Sequence, residues 1–505
     1  MAGVLNLKLI LLSALLTAAA MPGMFWGYLI WVALIPFFMG MNSLTPLKGA
    51  VRAFIFGFAY LLVTHFWELP VLAVNVPEVL DSFPGFIGIV VYFLMGIVIA
   101  VPFFGFGFVF SLYGHFFKNY PILGSFFAAS FFTVFEGLRE IGPLGFTNGR
   151  LSDALIDSQS GISQLFSFGG PLFLVFVIVF VNHFLTHAFL NRKRDRGLMI
   201  MLAISVVALV NAAMESFIPF PSSPQRYEST LYALQTNISQ QIKYYESPEE
   251  TLKVVIRGLR EIPQGSTVVM PEATFMSDIR NNSYGNRLIE VARERDLKIL
   301  VGFPIYNESN YNQVRFVDGS GFSREFYGKI KLTPFVEFLP WPGIFGVFEF
   351  LKFLDYFDPG EEFTVFAVDE HRIGAQICFD SLYGEVARGL TLNGARVIVT
   401  ATNDGWFNID TALEQHLAKS KIRAIENRRY VLQVSNTGIT ALIDPYGRVV
   451  KRLPTMKELN AEYVIGEFQY LPRVETTFYT KYGNWFFFFA LFLGIVLIVF
   501  GGVFL

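Results

Sequence analysis

Cysteine is almost absent from this 505-residue chain: there is one, Cys378. An internal disulfide is therefore excluded, and with it a disulfide-stapled scaffold. Charge is scarce too. Asp, Glu, Lys and Arg make up 16% of the residues, where a soluble globular protein carries about 25%. The 39 basic and 41 acidic side chains nearly cancel, so no basic surplus exists for a phosphate backbone and no nucleic-acid partner is expected. Histidines number six and are scattered, with no cysteine beside them to complete a ligand set, and no dinucleotide or phosphate-loop glycine motif is present. No metal and no organic cofactor is expected.

What fills the chain instead is apolar. It is 53% hydrophobic and 17% aromatic, with a mean hydropathy of +0.47, so much of it must face lipid. Stretches long enough to cross a bilayer, about 20 residues each, fall near 4–20, 24–44, 49–66, 84–113, 121–138, 165–190, 198–217 and 485–505. Residues 1–20 read as a retained span rather than a cleaved signal peptide, because no basic cluster precedes the apolar run. Lys48 and Arg52, Lys118, and the run from Arg192 to Arg196 mark alternate connections, while Glu68 to Phe83 has no Lys or Arg. The positive-inside rule then puts both termini in the cytoplasm and the polar segment 218–484 outside it. The expected organisation is a bundle at 1–217, a polar domain at 218–484 and a last span at 485–505.

Inside the polar segment, short β-runs alternate with amphipathic helices, the pattern of a layered α/β domain. Expected strands include Leu231–Ile238, Thr267–Met270, Ile299–Ile305, Gly321–Tyr327, Arg372–Cys378 and Arg396–Thr400. Ser247-Pro-Glu-Glu has the signature of a helix start, and helices are also expected near Tyr284–Arg295, Leu382–Asn393 and Thr411–Arg428.

Three ionisable groups stand at strand ends. Glu272 closes Val268-Val-Met-Pro-Glu, Lys329 follows a hairpin strand, and Cys378 ends Ile373-Gly-Ala-Gln-Ile-Cys. A carboxylate can take a thiol proton, and an ammonium can hold a thiolate or an oxyanion. A helix starting near Ser381 would add its positive end to the thiol. Lys329 and Lys331 would share one face of an extended strand, so spacing alone leaves the choice between them open. A lone buried cysteine is also commonly an inert filler.

Several segments carry a resemblance. Pro271-Glu-Ala, Gly328-Lys-Ile-Lys-Leu-Thr-Pro-Phe-Val-Glu and Ile377-Cys-Phe-Asp resemble the Glu–Lys–Cys segments of the nitrilase (carbon–nitrogen hydrolase) superfamily. With Thr402-Asn-Asp-Gly-Trp-Phe, the stretch from Gln415 to Asn427, Ser435-Asn-Thr-Gly-Ile-Thr and the flanking spans, the whole chain resembles its membrane-bound branch, the bacterial apolipoprotein N-acyltransferases. That resemblance implies a helical bundle of about eight spans joined to an extracytoplasmic αββα sandwich in the inner membrane. It also implies Glu272 as general base, Lys329 as oxyanion-stabilising cation, Cys378 as nucleophile, and Glu337, eight residues after Lys329, as a supporting carboxylate. Two positions depart from the family pattern. Phe379-Asp380 stands where Tyr-Glu is common, and Tyr244 where a tryptophan is usual.

The implied reaction is acyl transfer from a phospholipid, typically phosphatidylethanolamine, through a Cys378 thioester to the α-amine of a diacylglyceryl-cysteine on an apolipoprotein. Residues 335–357, dense in Phe and Trp and including Trp341, are expected to lie at the lipid interface as an arm beside the lysine segment. Two other readings stay open: a membrane-tethered amidase acting on small amides, and a transporter or scaffold with an inactive outer domain. His416 is expected to be a structural helix residue.

Overall fold

The computed structural model describes residues 2–80, 83–156, 161–190, 196–216, 228–245, 248–306, 309–347, 356–407 and 409–504. The chain divides into two compact units. One contains Met1–Leu69, Phe86–Phe220 and Tyr482–Leu505, the other Pro70–Gly85 and Pro221–Lys481.

Among its described residues the first unit has helices and no strand. Among the described residues five helices are long and apolar enough to cross a membrane: Pro46–Thr64, Gly85–Phe117, Pro121–Leu138, Gly161–Leu190 and Trp485–Phe504. The expected segments 4–20, 24–44 and 198–217 contain shorter apolar helices, Asn6–Ala19, Gly27–Gly40 and Ile204–Ser216. Glu136 is the main acidic group the sequence leaves within these helices, and a membrane interior tolerates such a group only when it is paired. It is paired with Arg139, and Arg150 stands 3.9 Å away. This neutralised cluster is unlike an open ion path.

Among its described residues the second unit contains twelve strands: β1 (Ser229–Gln235), β2 (Thr267–Val269), β3 (Lys298–Tyr306), β4 (Asn310–Asp318), β5 (Gly321–Gly328), β6 (Val365–Val368), β7 (His371–Ile377), β8 (Val397–Thr402), β9 (Tyr430–Ser435), β10 (Ala441–Ile443), β11 (Val449–Arg452) and β12 (Val464–Tyr470). They form two six-stranded sheets, ordered β12-β1-β2-β3-β4-β5 and β11-β10-β9-β8-β7-β6. The sheets meet through β1 against β9 and β4 against β7.

Helices cover the remaining faces. Val255, Ile256 and Leu259 of helix Pro248–Glu261 and Leu288, Val291 and Ala292 of helix Ser283–Arg295 join one apolar cluster with Val268, Ile299 and Val301. Each such side chain stabilises the fold by roughly 1.5–3 kcal/mol on burial. Helices Gly384–Leu392 and Asp410–Asn427 lie against the second sheet. The result is an αββα sandwich. β7, β8 and β9 run parallel, and β8 and β9 are buried at every residue. Strands covered on both faces are apolar throughout rather than alternating.

Pro70–Gly85, drawn from sequence as part of the N-terminal bundle, clusters instead with the sandwich unit. The reason is local. Asn75 Nδ2 donates to the Trp406 carbonyl at 2.8 Å, and helix Val76–Leu80 touches helix Gln240–Tyr245.

Candidate active site

Parallel strands leave their C-terminal ends open to carry chemistry, because the crossover helices occupy the faces. Here the parallel strands β2, β7 and β8 deliver Glu272, Cys378 and the pair Asn403–Asp404 at their ends, and the antiparallel edge strand β5 delivers Lys329. The backbone turns sharply at two of these ends. Cys378 has φ 45° and Ala273, which follows Glu272, has φ 44°. Left-handed backbone at a residue bearing a Cβ is strained and persists only where surrounding contacts enforce it.

Lys329 is 2% exposed and its ammonium lies between two carboxylates. Nζ donates to Glu272 Oε1 at 3.1 Å and to Glu337 at 3.0 Å (Oε1) and 2.8 Å (Oε2). Asn312, from β4, donates through Nδ2 to both carboxylates, at 2.8 Å to Glu272 and 2.9 Å to Glu337. Backbone amides close the set: Asn403 N–H donates to Glu272 Oε2 at 3.0 Å and Thr333 N–H to Glu337 Oε2 at 2.8 Å. Burial opposes the charge on Lys329, but Glu272 and Glu337 together hold its pKa well above the ordinary lysine range. Burial likewise opposes ionisation of Glu337, and Lys329 reverses it, leaving that carboxyl below its ordinary value. Both groups stay ionised.

Cys378 is partly buried. Burial first, then the Glu272 charge, push its thiol well above the ordinary range, while Lys329 pulls the other way. The sulfur rests as a thiol within the field of both groups.

Lys331 is not part of this cluster. β5 ends at Gly328, so residues 329–331 are not extended strand and the two lysines do not share a face. Lys331 turns outward and pairs with Glu385. The regular helix after Cys378 begins only at Gly384, behind a 3₁₀ turn over Cys378–Leu382. The helix start expected near Ser381 is thus displaced away from the thiol.

Asp380 is fully buried. Its carboxylate accepts from Tyr327 Oη at 2.8 Å, Ile377 N–H at 2.9 Å and Lys331 N–H at 2.7 Å. It ties the lysine segment to the cysteine segment, and burial raises its pKa to about 6. Phe379 packs its ring edge-on to Tyr383 at 5.5 Å. Tyr244 is 38% exposed and lies 5.8 Å from the Trp406 ring. The charges of Glu272 and Glu337 reach its phenol.

Trp341 lies outside the cluster, 45% exposed, with Ile344 at 63% and Val347 at 73%. Exposure of this kind fits an arm and not a core helix. Residues 348–355 of the expected arm lie outside the described residues. The arm's base is fixed beside the site, because Phe357 N–H donates to the Glu337 carbonyl at 2.8 Å.

Three participants escaped the sequence reading. Asn312 bridges the two carboxylates. Lys243, 6% exposed, donates to the Ala273 carbonyl at 2.9 Å, and burial lowers its pKa to about 7 against the pull of Glu272. Asp404 accepts from Thr402 Oγ1 at 3.0 Å and Ser435 Oγ at 2.9 Å, and is 2.8 Å from His416 Nδ1. A polar residue one position before an aromatic, as at Lys243-Tyr244, was the only signal for the first of the charged pair. Among the described residues, no group of three or more His, Cys, Asp or Glu side chains is arranged to hold a metal ion.

Comparison with known proteins matches both units. The carbon–nitrogen hydrolase family model matches residues 239–469, and the apolipoprotein N-acyltransferase N-terminal domain model matches residues 13–184. The apolipoprotein N-acyltransferase of Thermotoga maritima is 42% identical over 495 residues, covering 98% of this chain and 93% of the relative. The protein of the same name from Geobacter metallireducens is 26% identical over 513 residues, covering 94% of this chain and 91% of the relative.

Proposed function

The chain belongs to the apolipoprotein N-acyltransferase family, and from that premise we propose how its site performs acyl transfer. The observation that carries the reading is the Lys329 ammonium held between Glu272 and Glu337, within whose field the strained Cys378 lies.

In the first half-reaction Glu272 takes the thiol proton as the Cys378 sulfur attacks the ester carbonyl of a phospholipid. Lys329 faces the oxygen on which negative charge develops, and a cation already in place there stabilises the transition state without any reorganisation during the reaction. The carbon–oxygen bond breaks, the proton on Glu272 passes to the leaving alkoxide, and a lysophospholipid departs. An acyl thioester remains on Cys378. In the second half-reaction the neutral α-amine of the N-terminal diacylglyceryl-cysteine attacks the thioester, Glu272 accepts the amine proton, and the amide forms as the sulfur leaves. The proton returns to sulfur and the cycle is closed, with ping-pong kinetics.

Glu337 keeps Lys329 charged and aimed. Asp380 joins the two segments that carry Lys329 and Cys378. Phe379, Tyr244 and Trp341 supply apolar surface for acyl chains, and the exposed arm around Trp341 meets the lipid interface. Such a site must be dry, because water would discharge the thioester. Phosphatidylethanolamine is the donor of choice in this reading. The sandwich faces the periplasm and both termini are cytoplasmic; 1–217 without Pro70–Gly85 is the bundle, 218–484 with Pro70–Gly85 the catalytic unit, and 485–505 the last span.

The test is direct. Purified protein is mixed with phosphatidylethanolamine alone and its intact mass is measured. The expected result is one acyl adduct on Cys378, discharged on adding a diacylated lipopeptide. Ammonia release from small amides with no lysophospholipid would favour an amidase instead, and transfer to lipopeptide without any adduct would refute the thioester.

A further inference from the structure

We propose that His416 is a positioning residue for Cys378: an imidazolium held between Asp404 and the Cys378 carbonyl, it pins the nucleophile's backbone and sets a second fixed cation near the sulfur. The proposal rests on the reading of Cys378 as nucleophile.

Hydrogen-bond polarity carries the argument. His416 Nδ1 lies 2.8 Å from Asp404 Oδ1, and Nε2 lies 3.3 Å from the Cys378 carbonyl oxygen and 3.1 Å from Ser381 Oγ. An ionised carboxylate and a carbonyl only accept. Ser381 spends its own proton on the same Cys378 carbonyl at 2.7 Å, so its oxygen, too, faces Nε2 as an acceptor. A neutral imidazole has one N–H and would leave a bare nitrogen against one of these oxygens. With Ser381 donating to the carbonyl, both ring nitrogens carry protons, and Asp404 with Glu272 holds the second proton on the ring.

The dyad cannot swing away to avoid this. Asp404 is 1% exposed, and Thr402 and Ser435 hold its two oxygens. His416 is 8% exposed on helix Asp410–Asn427, which lies against the 3₁₀ turn of Cys378. The charged groups facing the ring are Asp404 from the turn after β8 and Glu272 from the turn after β2, and the Cys378 carbonyl lies at its other nitrogen. Burial disfavours the imidazolium, and Asp404 with Glu272 outweighs it.

The consequence for Cys378 is twofold. Its φ of 45° takes its carbonyl out of the β7 ladder, and the side chains of Ser381 and His416 take hold of that carbonyl in place of a neighbouring strand. Asp404 is also within hydrogen-bond distance of Thr402, whose side chain bonds the thiol. One buried carboxylate thus braces both ends of the nucleophile, the sulfur through Thr402 and the carbonyl through His416.

Because Cys378 is the only cysteine, alkylation of the full chain by iodoacetamide, followed by intact mass, reads this thiol alone. The measurement needs no phospholipid, so it stands apart from the acyl-adduct experiment above. His416→Gln keeps an amide N–H for the carbonyl but removes the charge. It should move the midpoint of the alkylation-rate profile up by roughly one pH unit, a tenfold lower thiolate fraction below the midpoint, in a variant that keeps its fold but melts at a lower temperature because Asp404 loses its buried partner. His416→Lys should move it back toward wild type. Profiles of His416→Gln and wild type that superimpose would overturn the proposal. Should neither variant fold, wild-type protein labelled with ring-15N histidine decides it. Followed by NMR through a pH titration, one histidine should lose its second proton above the ordinary histidine range of about 6.5. Six rings that all become neutral at or below that range would overturn the proposal.

Discussion

Replacing Glu337 by glutamine isolates what the second carboxylate does for Lys329. The wild-type group accepts from Lys329 and Asn312 on Oε1 and from Thr333 N–H and Lys329 on Oε2. A glutamine has one acceptor oxygen. If that oxygen takes Lys329 and Asn312, the new NH2 meets the Thr333 amide, donor against donor. If it takes Thr333, the NH2 meets an ammonium. Either way a buried donor loses its partner, which costs about 1–3 kcal/mol, and the ammonium loses one of its two counter-charges. Breaking a buried pair outright costs about 3–5 kcal/mol, but Glu272 remains at 3.1 Å, so the lower end applies. The remaining pull of Lys329 then falls wholly on Glu272, and the ammonium is held from one side only. A loss of about 3 kcal/mol at the transition state is roughly a hundredfold in rate. The assay is the rate of acyl-adduct formation on Cys378 in phospholipid micelles, with iodoacetamide alkylation as the check that the thiol is still present and reachable. An adduct rate for Glu337→Gln within threefold of wild type would refute the argument.

Gly302 on β3 packs under the base. A Cβ there would stand 2.5 Å from the Pro271 carbonyl oxygen and 2.9 Å from Glu272 Cα, so Gly302→Ala should displace Glu272 and lower adduct formation at least tenfold; an unchanged rate contradicts this. Lys243 has its pKa lowered from 10.5 to about 7, so the unfolded chain binds the extra proton between those values and stability rises with pH across that window. Melting temperatures followed from about pH 7 to about pH 10 should lose that slope in Lys243→Met, and a slope equal to wild type would show that the lysine is not its source. Tyr327→Phe deletes one donor to buried Asp380, a loss of about 1.5–3 kcal/mol for a bond to a charged acceptor. Because Asp380 titrates at about 6, the destabilisation should be larger above that pH than below it; a pH-independent loss would show that the carboxylate is not the partner that matters.

The parts of the site that were legible in the sequence are those whose chemistry is local. Cys378 and Glu272 follow short apolar runs, and the end of a buried strand is recognisable without knowing its neighbours. The sandwich was legible for the same reason, since β-runs and amphipathic helices alternate at their own periods. What could not be read is contact across elements. Asn312 is one of two asparagines in Asn310-Tyr-Asn, and nothing in that pattern says which face of β4 looks at two glutamates. His416 was expected to be structural, and its residue type on a helix gives no hint that Asp404 and the Cys378 carbonyl lie at its two nitrogens. Lys331 failed as a strand-face neighbour of Lys329 because β5 stops one residue before the lysine. Asp380 sits next to the nucleophile in sequence, where a substrate-facing role is the natural expectation, yet its three donors turn it inward.

A thiol with a raised pKa is at first sight a poor nucleophile, and the charge count around it resolves the difficulty. Counting the two glutamates as carboxylates, Lys329 as an ammonium and Cys378 as a thiol, this group of four carries one net negative charge. A free thiolate formed by losing a proton to water would make it two, in a site that cannot solvate them. Moving the proton from sulfur to Glu272 leaves the total unchanged. One carboxylate charge disappears as one thiolate charge appears, and Lys329 stays within reach of both. The cost that burial places on an isolated thiolate is then never incurred, because the charge is exchanged and not created. The same count holds in reverse when an acceptor amine gives its proton to Glu272 and the sulfur leaves. A site of this kind is silent until a carbonyl and a proton path are both in place, which is what the proposed thioester mechanism requires.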